Sequence, residues 1–210
     1  MSALDQLRNE LRRKFPGAHA EAWRLQEEGE RFARFTDLEA FRPGTISEVV
    51  PARGLSGFGL LIAALLGEPD RAAEFPELAL VDGGDGFDPE SFSAAACSKV
   101  LWVRCGSALE MLKAGELMVR DGTLSTVLLD AAGLDLRQLR ALPASAWWRL
   151  KQGAEQSGSR LIVLSPAQVV PCASLRLALT ADLTLADFSE PRPVLLNRLQ
   201  ARPERLRHAT

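Results

Sequence analysis

Histidine is nearly missing from this chain: among 210 residues only His19 and His208 are of that type, both near a terminus and neither within a ligand-like cluster. A metal centre built on imidazoles, or a nucleophile activated by histidine, is not expected. Cysteine is equally sparse. Cys97, Cys105 and Cys172 are odd in number and show no Cys-x-x-Cys spacing, which argues against a disulfide framework and a structural zinc site and leaves reduced, buried thiols. No apolar run approaches the roughly 20 residues needed to span a bilayer. The opening stretch, MSALDQLRNELRRKF, alternates charge with single leucines and lacks the apolar centre of a secretory signal. A cytoplasmic protein with no membrane partner and no bound cofactor is expected. Internal repeats and low-complexity tracts are absent as well.

What is present is an ordinary globular composition, 47% hydrophobic and 25% charged, in a chain long enough for one sizeable domain with extensions. A net charge of −2 gives no global attraction to nucleic acid. The stretch from Glu190 to Thr210 departs from that balance, setting Arg192, Arg198, Arg202, Arg205 and Arg207 against two glutamates. Any contact with DNA would have to be local, through phosphate-positioning residues such as Arg198, Arg202 and Arg205. A solvated tail is the competing reading, and the tail has few aromatics on which bases could stack.

Leu4, Leu7 and Leu11 fall at i, i+3 and i+7, so residues 2–15 are expected to form an amphipathic helix stopped by Pro16-Gly17. Its leucine face would pack on its own domain or on a neighbouring protein. A charged helix over about 19–34 follows, then a first strand, Ile46 to Val50. Beyond it, short apolar runs alternate with helical segments, the pattern of a parallel α/β sheet. The runs are LALVD at 78–82, KVLWVR at 99–104, TVLLD at 126–130 and RLIVLS at 160–165, each apolar on consecutive positions as in strands covered on both faces. SALEMLKAGELMVRDG should be a helix with a capping box from Ser107 and Glu110 and a stop at Gly122. PASAWWRLKQGAEQSG should be another, burying Trp147, Leu150 and Ala154. ASLRLAL, with alternating leucines, is expected at a sheet edge, and VLLNRL as a last short strand after the Pro-rich EPRP. The division is then 1–45 as a helical extension, 46–189 as the core domain and 190–210 as a basic strand or tail.

The segment SEVVPARGLSGFGLLIAALL has the plan of a phosphate-binding loop, strand then glycine-rich turn then helix, without its chemistry. Pro51 stands near the first glycine position and cannot donate an N–H. Phe58 follows Gly57 where a lysine would neutralise phosphate oxygens, and Gly59 takes the place of the Ser or Thr that would hold magnesium. An ordinary tight strand-to-helix turn is the competing reading. Asp82, Asp85 and Asp88 lie close in sequence, but with no histidine, lysine or ligand set converging on them they are expected to shape a turn around Gly83, Gly84 and Gly86.

The order and wording of these strands resemble the RecA-like superfamily. LALVDGGDGFDPESF is similar to the RecA stretch that runs roughly "FIDAEHALDP", and VLWVRCGSALEMLKAGELMVRDGTLSTVLLDAAGLD to the stretch that ends on the magnesium-orienting Asp. On this resemblance Asp82, Asp88 and Pro89 match the family, Asp130 takes the magnesium-orienting position, and Gly84 replaces the glutamate that activates water. Within the superfamily the chain most resembles the ImuA family, on ISEVV followed by Gly-Phe, LWVRCGSALEMLKAGELMVRDGTLSTVLLD, AEQSGSRLIVLSP and VLLNRLQARP. The resemblance implies a RecA-like, mostly parallel sheet with helices on both faces and no functional phosphate loop. It implies a non-catalytic accessory protein of the bacterial DNA-damage (SOS) response, nucleoid-associated when active. Such a protein is an adaptor in error-prone translesion synthesis, beside a Y-family polymerase-like protein and an error-prone replicative-type polymerase, with itself or RecA as further partners. Two alternatives stay open: a SulA-like cell-division inhibitor, and an ATPase whose atypical loop uses backbone amides and Arg53 in place of lysine.

Overall fold

The computed structural model describes residues 40–52, 57–67, 72–181 and 183–206. The expected helices over 2–15 and 19–34, and with them Leu4, Leu7 and Leu11, lie outside the described residues, as does Arg53.

A seven-stranded sheet organises everything else, in the order β3-β2-β4-β5-β1-β6-β7. Its strands are β1 (Ile46–Pro51), β2 (Leu78–Asp82), β3 (Val100–Arg104), β4 (Thr126–Asp130), β5 (Arg160–Leu164), β6 (Leu175–Ala181) and β7 (Leu199–Leu206). All pairings are parallel except β6 with β7. The helices are α1 (Phe58–Leu66), α2 (Ala94–Cys97), α3 (Ala108–Asp121), α4 (Leu136–Ala141), α5 (Ala144–Ser157) and α6 (Arg192–Leu196). This is the expected α/β class, a mostly parallel sheet with helices on both faces.

The consecutive apolar runs explain the layering. In β2, β4 and β5 alternate residues enter two separate cores. Ala79, Val127 and Leu161 join Met111 of α3 and Trp147 and Leu150 of α5 on one face. Leu80, Leu128 and Ile162 join Phe58, Leu61 and Ile62 of α1 on the other. The helix ends follow local chemistry. Ser107 Oγ accepts from the Glu110 N–H at 3.3 Å while Glu110 Oε2 accepts from the Gly106 N–H at 2.8 Å, and Gly122 ends α3 at φ +69°.

Two expectations at the sheet's margins need correcting. The ASLRLAL strand, β6, is interior, paired on both sides, because its polar alternate, Arg176, faces a buried carboxylate rather than water. The open edge on the far side is β3, where Leu101 is 39% exposed. VLLNRL is not a strand: Pro193 fits the first turn of a helix, so Arg192–Leu196 coil as α6 and bury Leu195 before a turn leads into β7. Strand β7 carries Pro203 beside a register shift opposite Arg176 and Leu177, on the outer edge where a missing N–H costs no ladder bond. Within the expected strand or tail of 190–210, Leu199–Leu206 are a strand of the sheet.

Candidate functional site

The C-terminal ends of the parallel strands collect the residues to which the sequence assigned chemistry. Asp82 and Asp130 end β2 and β4 in register with each other, both pointing to the α1 face. Asp82 is fully buried, and its carboxylate accepts four hydrogen bonds: from the N–H groups of Gly84 (3.2 Å), Gly86 (3.0 Å) and Phe87 (3.0 Å), and from Trp102 Nε1 (3.3 Å). A carboxylate so saturated organises the loop that follows it. This is the turn-forming role expected from the glycines around it.

The loop is fixed from outside as well. Asp85 adopts φ +54°, a conformation open to Asp at modest cost, and Arg104 at the end of β3 clamps its carboxylate through Nε at 2.7 Å and Nη2 at 2.6 Å. The Arg104 hydrogen bonds hold the Asp85 carboxyl below the usual range and raise the guanidinium. Asp88 caps the 3₁₀ turn Pro89–Ser91, accepting from the Glu90 N–H at 3.1 Å and from Ser91 Oγ at 2.6 Å.

Gly84 and Gly133 meet backbone to backbone. A Cβ placed at Gly84 would lie 2.6 Å from Gly133 Cα, a distance no side chain tolerates without backbone movement. Asp130 beneath this contact is 6% exposed and accepts from the Ala132 N–H at 3.0 Å. Burial pushes its pKa up to about 6, the Ala132 N–H opposes the rise and the Asp82 charge adds to it.

At the start of α1, Pro51 ends β1 opposite Leu179 and Gly57 caps the helix at φ +67°, pressed against Ala181 and Leu199. Phe58 is 4% exposed and belongs to the core on the α1 face. Gly59 faces open space, with no atom within 4 Å of an added Cβ. A cleft of about 510 Å³ runs between Gly59 and Leu60, the loop from Gly86 to Phe92, and the segment from Phe188 to Leu195. Arg192 spans it, stacking over the Phe92 ring at 4.5 Å and donating to the Ser91 carbonyl.

The arginines proposed for phosphates lie on β7 and in the turn before it. Arg198 is ion-paired to Asp187 at 2.6 Å, and Arg202 stands exposed on β7. Arg205 occupies the same strand opposite Arg176, its side chain outside the described residues. Among the described residues, no group of three or more His, Cys, Asp or Glu could hold a metal ion, and no helix is long and apolar enough to cross a membrane.

A feature of the other sheet face was missed from sequence. Glu48, in the middle of β1 and fully buried, accepts from Arg176 Nε at 2.7 Å, Ser165 Oγ at 3.1 Å, and the N–H groups of Val169 at 2.6 Å and Val170 at 3.0 Å. The signal was a lone charge in each of two apolar strands, ISEVV and SLRLAL. These bonds tie the β5–β6 loop to the centre of the sheet.

No family model matches the chain, and the curated proteins include no match to it. Among solved structures it is similar to the crystal structure of the RadB recombinase, with a TM-score of 0.49 and 15% identity over 66% of this chain and 76% of that one.

Proposed function

We propose that the chain is a non-catalytic RecA-like accessory protein of the bacterial DNA-damage response, an ImuA-type adaptor that acts in error-prone translesion synthesis through protein contacts. The observation that carries this reading is the contact between Gly84 and Gly133. The resemblance puts a water-activating glutamate at position 84, and here the space for any side chain is taken by backbone. The neighbouring positions agree with it. Asp82 spends its carboxylate on the loop, Asp130 is buried below it, and Phe58, at the lysine position, is core. A fold that keeps its packing while its reactive positions are used structurally is suited to binding partners.

Co-purification of the tagged protein from DNA-damaged cells of its own host, with bound proteins identified by mass, tests the reading. Recovery of polymerase-type partners, lost when Leu4, Leu7 and Leu11 are made polar, supports it. Recovery of a tubulin-like division protein would move the function to cell-cycle arrest, the SulA-like alternative. ATP hydrolysis abolished by Asp130→Ala would overturn the non-catalytic reading in favour of an atypical ATPase.

A further inference from the structure

On the α5 face of the sheet, away from the loop of Asp82 and Asp130, a cleft of about 350 Å³ opens between α4, the start of α5 and the loop joining β5 to β6. Leu139, Leu142, Trp147 and Val169 are among its apolar walls, and its lining includes two cations, Arg140 and Arg176, and no acidic residue. The two arginines differ. Arg140 is exposed. Arg176 is 8% exposed and spends Nε on Glu48 and Nη2 on the Val170 carbonyl at 2.9 Å, while Nη1 makes no hydrogen bond among the described residues. Glu48 neutralises Arg176, so among the lining residues Arg140 is the one cation without a carboxylate paired to it among the described residues. At the rim, Gln168 Nε2 donates to the exposed Glu204 at 2.9 Å.

A spare donor on a nine-tenths buried guanidinium, reached past apolar walls, suits a carboxylate carried on an apolar body. It suits nucleic acid poorly. Phosphate backbones are held by several spread cations, single strands need an exposed aromatic platform, and Trp147, the aromatic of this cleft, is 1% exposed. We propose that the cleft docks a partner-protein segment in which a glutamate is flanked by bulky apolar residues, the carboxylate meeting Arg176 and Arg140 while the neighbours cover the apolar walls. This rests on the adaptor reading and gives it a surface.

The test is an immobilised array of acetylated, amidated hexapeptides holding glutamate between Leu, Ile, Val, Met or Phe, with a glutamine counterpart for each, probed with the full chain. Members with glutamate should retain the protein at least roughly tenfold more strongly than their glutamine counterparts, as expected for a charge-assisted pair in an apolar site. Arg140→Ala should weaken retention roughly fivefold, and Ala144→Trp, which fills the cleft from an exposed helix-start position, should abolish it, both with unchanged thermal unfolding. Equal retention of glutamate and glutamine members, no retention at all, or displacement by single-stranded oligothymidine would overturn the proposal. If polymerase-type partners still co-purify in that case, the adaptor reading stands and its contact lies elsewhere.

Discussion

Asp82 and Asp130 stand opposite each other in register at the ends of adjacent strands, yet Asp82 is saturated by four donors while Asp130 sits buried with the Ala132 N–H as its donor. Burial raises Asp130 to about 6, above the value near 4 of an unfolded chain. Between those values the folded state keeps the proton that the unfolded state releases. Stability therefore falls as pH rises through that window, and the deficit is complete above about pH 6.

Asp130→Asn keeps the acceptor for Ala132 and removes the charge. It should be more stable than the parent at pH 7 by on the order of 2 kcal/mol, with the gap closing as pH falls towards 4. Urea unfolding from pH 4 to pH 8 measures it, and a gap that does not vary with pH would remove burial as the cause.

Gly84 and Gly59 should respond oppositely to the same substitution. At Gly84 a methyl meets the Gly133 backbone at 2.6 Å, so Gly84→Ala should cost about 1–3 kcal/mol through forced backbone movement. At Gly59 nothing lies within 4 Å and the backbone is helical, so Gly59→Ala should gain about 0.5–1 kcal/mol. Paired denaturation curves compare them directly.

What was legible from sequence divides along physical lines. Strands β2, β4 and β5 announced themselves because burial on both faces demands consecutive apolar residues, and α3 because its cap and stop are local chemistry. The errors came where a polar residue has a partner far along the chain. Arg176 looked solvated in SLRLAL because Glu48, 128 positions away, was not recognised as its counterpart. Pro193 looked like a break before a strand, whereas it opens α6. In the same way, the sequence showed a glycine at position 84 but not that Gly133 packs against it, leaving no room for a side chain.

Glu48 and Arg176 give a third expectation, since each is buried and each is the other's counter-ion. Removing one charge, as in Glu48→Gln or Arg176→Leu, should cost about 3–5 kcal/mol because the remaining charge is left unpaired away from water. The double variant Glu48→Met with Arg176→Leu should recover much of that loss. A double-mutant cycle by chemical denaturation reads the coupling, and single losses that simply add would show that the pair is not acting as a unit.

Phe58 tests how far the α1 loop has moved from phosphate chemistry. Its ring is held in the core with Leu61 and Ile62, so Phe58→Lys places an ammonium among apolar side chains and deletes a large apolar group. The expected result is a loss of about 3–5 kcal/mol in stability and no ATP binding at millimolar nucleotide. A lysine alone should not make a nucleotide site of a loop whose neighbours are Pro51, Gly84 packed on Gly133, and a buried Asp130. Thermal unfolding together with nucleotide titration distinguishes the outcomes. A Phe58→Lys protein as stable as the parent that binds ATP would mean that the loop is a phosphate site lacking one residue rather than a packed turn.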